Sequence, residues 1–184
     1  MPLNTIPLPY GLRDIKLTAY TDASGTTLAG SSIDLPYGRT MSFSEAEDFE
    51  ELRGDDKTIT TRGKGAAVDW ELESGGISYE AVAIMYGGTV GTTGTTPNQV
   101  KTFQKKVTDV RPYFKIEGQS ISDSGGDVHC ILYKCRSTGE LSGELGDGQF
   151  FLTGASGTAL PATLAGKTDV IYEFVQNETT TATP

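Results

Sequence analysis

The chain has 184 residues, a formal net charge of −9, 23 glycines and frequent Ser and Thr, which suits one domain with a core and extended arms, built mainly of strands and turns. No apolar run approaches the roughly 20 residues of a membrane-spanning helix. The start, MPLNTIPLPYGLRD, lacks the basic and apolar regions of a signal peptide, so folding in a cytoplasm is expected, with no membrane partner.

In chain order, residues 1–11 are proline-spaced and read as an N-terminal arm. Residues 13–20 (RDIKLTAY) read as the first strand, 22–25 as a turn, and 33–38 as a loop because Pro36 breaks a ladder. Residues 41–52 form a long strand in which Phe43 and Phe49 share parity with Glu45, Glu47 and Glu51. That mixing points to a bulge, or to a strand whose faces change neighbours along its length. Between residues 41 and 56 seven acids face Arg53 alone, a surface that repels nucleic acid, since phosphate contacts need Lys and Arg. The same acids also serve a strand that only aids solubility.

A turn at Gly54-Asp55-Asp56 reverses the chain into residues 57–73, so 41–73 makes a long hairpin. Its end alternates Val68, Trp70 and Leu72 with Asp69, Glu71 and Glu73, the period of a strand with one buried face. Gly75 and Gly76 break that period. Residues 77–86 then follow at helical spacing, with Ile77, Val82, Ile84 and Met85 as the core face and Gly87-Gly88 as the stop. GGTVGTTGTTPNQV (87–100) reads as a mobile loop, and 100–110 as extended and basic. A second hairpin runs through 111–121, turns at 123–127 and returns over 128–137. Residues 139–157 carry no assigned element. DVIYEFV (169–175) is the closing strand and QNETTTATP (176–184) a polar tail without packing residues. The expected fold is mainly β: an antiparallel β-sandwich or partial barrel over 12–175, with two long hairpins and one flanking helix.

Side chains able to do chemistry do not gather. His129 is the single histidine, in a strand and without metal-ligand spacing, so its role reads as structural. Cys130 and Cys135 are five apart in one strand, which puts them on opposite faces and excludes a mutual disulfide or shared metal. Ala165-Gly166-Lys167-Thr168 ends like a phosphate-binding loop, but Pro161 stands where the opening glycine belongs. Residues 154–158 lack the second glycine of a nucleophile elbow. SDSGGD (122–127) lacks the closing glutamate of a calcium loop. Arg53-Gly54-Asp55 reads as part of a turn. No catalytic residue, metal or cofactor is expected, and the chain does not read as an enzyme.

One arrangement does carry weight. A long acidic hairpin (FSEAEDFEELRGDDKTITTRGKGAAVDWELESGG) leads straight into a short helix (ISYEAVAIMYGG). A glycine-rich loop, a second hairpin, a closing strand and polar termini follow. Over most of residues 39–175 this order resembles the major tail tube protein of long, non-contractile-tailed bacteriophages. The resemblance implies a virion structural protein, made in the host cytoplasm, whose subunits lend hairpins to a shared barrel and close into hexameric rings. The rings stack around a tape-measure protein into the conduit for DNA, neither cargo being bound specifically, with tail terminator and tail-tip proteins at the ends. It further implies a channel lined by Asp69, Glu71 and Glu73, and by Glu45, Glu47 and Glu51. Ring-to-ring contact falls to Arg53, Gly54, Asp55, Asp56 and Lys57 and to the loop 88–100, and the helix braces the channel strand. Two alternatives stay open: a monomeric carbohydrate-binding or adhesin sandwich, and a related tail-completion or tail-tip ring protein.

Overall fold

The computed structural model describes residues 6–142 and 144–183, Lys64 by its backbone alone. In order, the elements are β1 (Pro9–Ala19), β2 (Ile33–Asp34), β3 (Gly38–Gly54), β4 (Lys57–Gly75), α1 (Tyr79–Tyr86), β5 (Thr89–Thr93), β6 (Val100–Gln104), β7 (Phe114–Ser122), β8 (Asp127–Ser137), β9 (Leu152–Leu160) and β10 (Tyr172–Asn177). The fold is mainly β and antiparallel, an open sandwich whose sheet does not close. Its strand order is β2-β1-β7-β8-β9-β4-β3, with β10 also on β8, while β5 and β6 form a separate ribbon.

β8 is the fork between the layers. Its first part, up to Leu132, pairs with β10, and its last part, from Lys134, pairs with β9. Between them the register against β7 slips, so that Tyr133 and Lys134 oppose Lys115 alone. A bulge of this kind bends a strand and sharpens its twist, which lets one strand serve both layers. It also corrects the cysteine expectation. Leu132 and Cys135 pair with Ile116 and Phe114, and all four are fully buried. The extra residue thus places Cys130 and Cys135 on the same, core-facing side. Both remain free thiols, and burial pushes Cys130 up to about 12 and Cys135 well above the usual thiol range.

The core joins Ile15 and Leu17 of β1, Val68, Trp70 and Leu72 of β4, and Phe114, Ile116 and Leu132. Trp70 meets Phe114 edge-on at 5.5 Å between ring centres, a favoured aromatic geometry. Helix α1 enters the same cluster through Ala81, Val82, Met85 and Tyr86. It begins at Tyr79, two residues later than expected, because the Ser78 side chain accepts from the Ala81 N–H and caps it. Ile77 therefore precedes the helix and is 47% exposed, and Ile84 is only half-buried against the core. Gly87 ends the helix at φ 76°, donating its N–H to the Ala83 carbonyl.

Five further expectations change. β1 starts at Pro9, inside the presumed arm, whose residues 1–5 lie outside the described ones. Two residues of the 33–38 loop form β2, paired with Lys16 and Leu17. The 87–100 stretch is not all loop: Thr89–Thr93 form β5, which pairs with β6 as a ribbon, Val90 opposite Phe103. β9 occupies residues previously without an element, and Thr181 and Thr183 of the polar tail are tied to the sheet.

Candidate assembly surface

Gly54 pairs with Lys57, leaving Asp55 and Asp56 as a two-residue turn with φ of 51° and 60°. Positive φ at both positions marks the mirror-image turn that fits the twist of a hairpin, and Asp tolerates it better than most residues. From Ser42 to Arg53, and from Lys57 to Arg62, every residue is exposed. Ser42 to Glu45 still pair with the part of β4 that β9 flanks, and beyond them the eight strand residues from Ala46 to Arg53, at roughly 3.3 Å each, make a ribbon about 26 Å long. It stands off the sandwich with both faces open. Phe49, Leu52 and Ile59 lie on it at 66%, 59% and 65% exposure. Among the described residues β3 has no second partner strand, so its outer edge is free.

The register sorts the six expected channel acids onto two faces. Ser42 and Ser44 pair with Glu71 and Asp69, whereas Phe43 and Glu45 pair with Trp70 and Val68. Glu45 therefore shares the face of the buried Val68, opposite to Asp69 and Glu71. Beyond it a bulge falls on β4, where Gly65 and Ala66 oppose Glu47, Gly65 taking φ 76°. From Thr40 to Arg53 β3 itself alternates without a break, so Glu47 and Glu51 follow Glu45. The Glu47 carboxylate lies over Gly63, where an added Cβ would come within 2.0 Å of it. Gly63 pairs with Phe49, which confirms the shared side. Bringing all six acids to one surface is thus corrected: three lie on each face.

The face with Asp69, Glu71 and Glu73 continues across β9 through Thr158, Ser156 and Gly154. Thr158 donates to Asp69 at 3.2 Å, and Arg39 pairs with Glu73 at 3.0 Å. A shallow polar cleft lies here, bordered by Ser42, Ser44, Asp69, Glu71 and Ser156. Phe43 and Trp70 also border it, but by register their side chains belong to the opposite face, so the side chains on this one are hydroxyls and carboxylates. On the other face Glu45 accepts from the Tyr172 hydroxyl at 3.0 Å. Beside it Phe43, Tyr172 and Phe174 meet at ring distances of 5.7 to 6.1 Å. This trio caps the open side of the sandwich between β3 and β10. It was not anticipated, because β10 sits far away in sequence.

Arg53, Asp55, Asp56 and Lys57 crown the ribbon tip, Arg53 pairing with Glu51 at 2.8 Å. The β5–β6 ribbon lies against α1, where Lys101 pairs with Glu80 and Phe103 packs on the core. Among the described residues no group of three or more His, Cys, Asp or Glu is placed to hold a metal ion. Among them no helix is long and apolar enough to cross a membrane. Comparison with protein-family models finds none that matches, and comparison with curated proteins finds no match.

Proposed function

We propose that this chain is a structural subunit that assembles with copies of itself into stacked rings, forming the tail tube of a bacteriophage virion. The observation that carries the reading is the ribbon of residues 46–62, open on both faces and free along the β3 edge. An isolated two-stranded ribbon is marginal in water, and a long free edge invites aggregation. Ring neighbours would pair that edge and cover Phe49, Leu52 and Ile59. Six subunits per ring is what the family resemblance implies.

In this reading Asp69, Glu71 and Glu73, with Ser42, Ser44, Ser156 and Thr158, face the channel, while their strand's apolar side enters, through Trp70 and Leu72, the core that α1 also joins. Glu45, Glu47 and Glu51 leave the proposed lining for the opposite face. The tip, Arg53 to Lys57, reaches the next ring. Tape-measure protein and DNA occupy the lumen without specific binding, terminator and tip proteins close the ends, and no catalysis or cofactor is involved.

A monomeric binding module is the second reading, favoured by the partly exposed Phe43, Tyr172 and Phe174. Sedimentation over rising concentration, followed by electron microscopy, separates the two. Rings and then tubes are expected. A chain that stays monomeric up to millimolar concentration, with no tubes in the images, overturns the proposal in favour of the module.

A further inference from the structure

The outer face of the β1–β7–β8–β10 layer holds a buried cluster of ionisable groups, and the C-terminal segment lies across it. Glu117, Asp127 and His129 are 3%, 0% and 4% exposed. The His129 ring is gripped from both ends: Nδ1 lies 3.0 Å from Glu117, and Nε2 lies 3.1 Å from Asp127 and 3.2 Å from the Thr181 carbonyl. Asp127 accepts from the Thr181 N–H at 2.9 Å, from Gln119 at 2.5 Å and from Asn177 at 2.9 Å. Gln119 also donates to the Thr181 carbonyl at 2.8 Å. Two residues on, Thr183 is itself buried. Its hydroxyl donates to Asp14 at 2.8 Å, and its carbonyl accepts from Lys16 at 2.9 Å.

We propose that Glu117, His129 and Asp127 form a proton-operated latch for the C-terminal segment 178–183, closed while the His129 ring carries both protons and open once it loses one. The reason is local charge. Lys115 pairs with Glu117 at 2.8 Å, so among the described residues His129 is the one cation left for Asp127. With the ring charged, two cations face two carboxylates and both ring N–H groups donate. A neutral ring keeps one N–H. Whichever it keeps, a ring lone pair then faces a buried carboxylate, and a buried polar group without its partner is costly.

Among the described residues the surrounding elements supply no substitute. Lys16 of β1 is engaged by Asp34 and the Thr183 carbonyl, and Asp14 adds a further negative charge. On β10, Glu173 is taken by Tyr133 and Lys167. Burial disfavours the ring's charge, but the hydrogen bonds the ring donates to Glu117 and Asp127 outweigh it and raise His129 above its ordinary 6.5. Burial likewise works against the Asp127 carboxylate, and its bonds from Thr181, Gln119, Asn177 and His129 hold it below the usual range. The His129 contribution is complete below the unfolded pKa and is lost as pH rises through the raised one. The Asp127 contribution is present above its unfolded pKa and is lost as pH falls through the lowered one. The latch is therefore closed between the two and opens on the alkaline side through His129.

The full chain tests this by NMR, because the single histidine leaves its ring signals unambiguous. The His129 ring is expected to titrate above 6.5, with the Thr181 and Thr183 signals moving at the same midpoint. Between the ordinary 6.5 and that midpoint the Thr181 amide protection factor should fall by about tenfold per pH unit, and above it level off, as linkage to one proton requires. In His129→Gln, Thr181 should be weakly protected with no pH step, while the core amides of Ile116 and Leu132 stay protected. Thr181 and Thr183 signals indifferent to the His129 titration overturn the latch, whether or not the variant folds. A step retained in folded His129→Gln does the same.

Discussion

A single missing methyl group at Gly157 decides how β9 seats between its neighbours. A Cβ there would lie 2.1 Å from the Arg136 carbonyl and 2.7 Å from the Trp70 ring, both held by the core. Gly157→Ala is expected to cost about 1–3 kcal/mol by overpacking, read as a lower urea midpoint. Gly154, three residues earlier, has nothing within 4 Å of its would-be Cβ. Its Ala variant should shift stability by no more than about 0.5 kcal/mol. Equal losses at both positions would mean that Trp70 does not press on β9 as described. The same crowding explains why β9 was not legible. LTGASGTAL buries only Thr153, Ala155, Gly157 and Ala159. Small residues chosen to fit under Trp70 resemble a loop when that partner, about 85 residues away, is out of view.

At the scale of elements, local period was readable and non-local register was not. The change from alternation to helical spacing across Gly75 and Gly76 located α1, since both patterns are written within one segment. The cap at Ser78 moved its start and took Ile77 out of the core. Met85→Ala should accordingly cost about 2–5 kcal/mol, Ile84→Ala distinctly less, and Ile77→Ala about 0.5 kcal/mol or under. Chemical denaturation of the three variants checks the order, and a large loss at Ile77 would contradict the placement of the helix start. The long hairpin shows the opposite case. The mixed parity of Phe43, Phe49 and the glutamates signalled an irregularity, and a bulge exists. It lies on β4 at Gly65 and Ala66, so β3 alternates on and carries three acids to the unexpected face. No pattern within β3 alone says which strand holds the extra residue. The C-terminal segment was equally opaque: its threonines dock by hydrogen bonds to Asp14, Gln119, Asp127 and His129, which leave no apolar periodicity to read.

For the whole molecule, the wet face of β4 decides whether the proposed channel repels its cargo. Asp69 and Glu71 are exposed, and of the three acids there only Glu73 has an ion-pair partner among the described residues. Like charge on a wall keeps phosphate from sticking. Replacing Asp69, Glu71 and Glu73 together by Lys raises the subunit charge of −9 by six units and repeats that change around a ring. The Debye length at physiological salt is about 8 Å, so only DNA close to the wall would feel it, as DNA inside a narrow tube must. These side chains point away from Val68, Trp70 and Leu72, so folding and tube assembly should survive, Arg39 losing one surface partner of little worth. DNA ejection should slow or stall at low salt and recover as ionic strength rises. Particles carrying the triple substitution, timed for ejection over a salt series, supply the measurement. Ejection at the normal rate in low salt would remove charge from the role of this face. Subunits that fold but no longer assemble would instead place Asp69, Glu71 and Glu73 at a contact between copies, with the channel on the side of Glu45, Glu47 and Glu51.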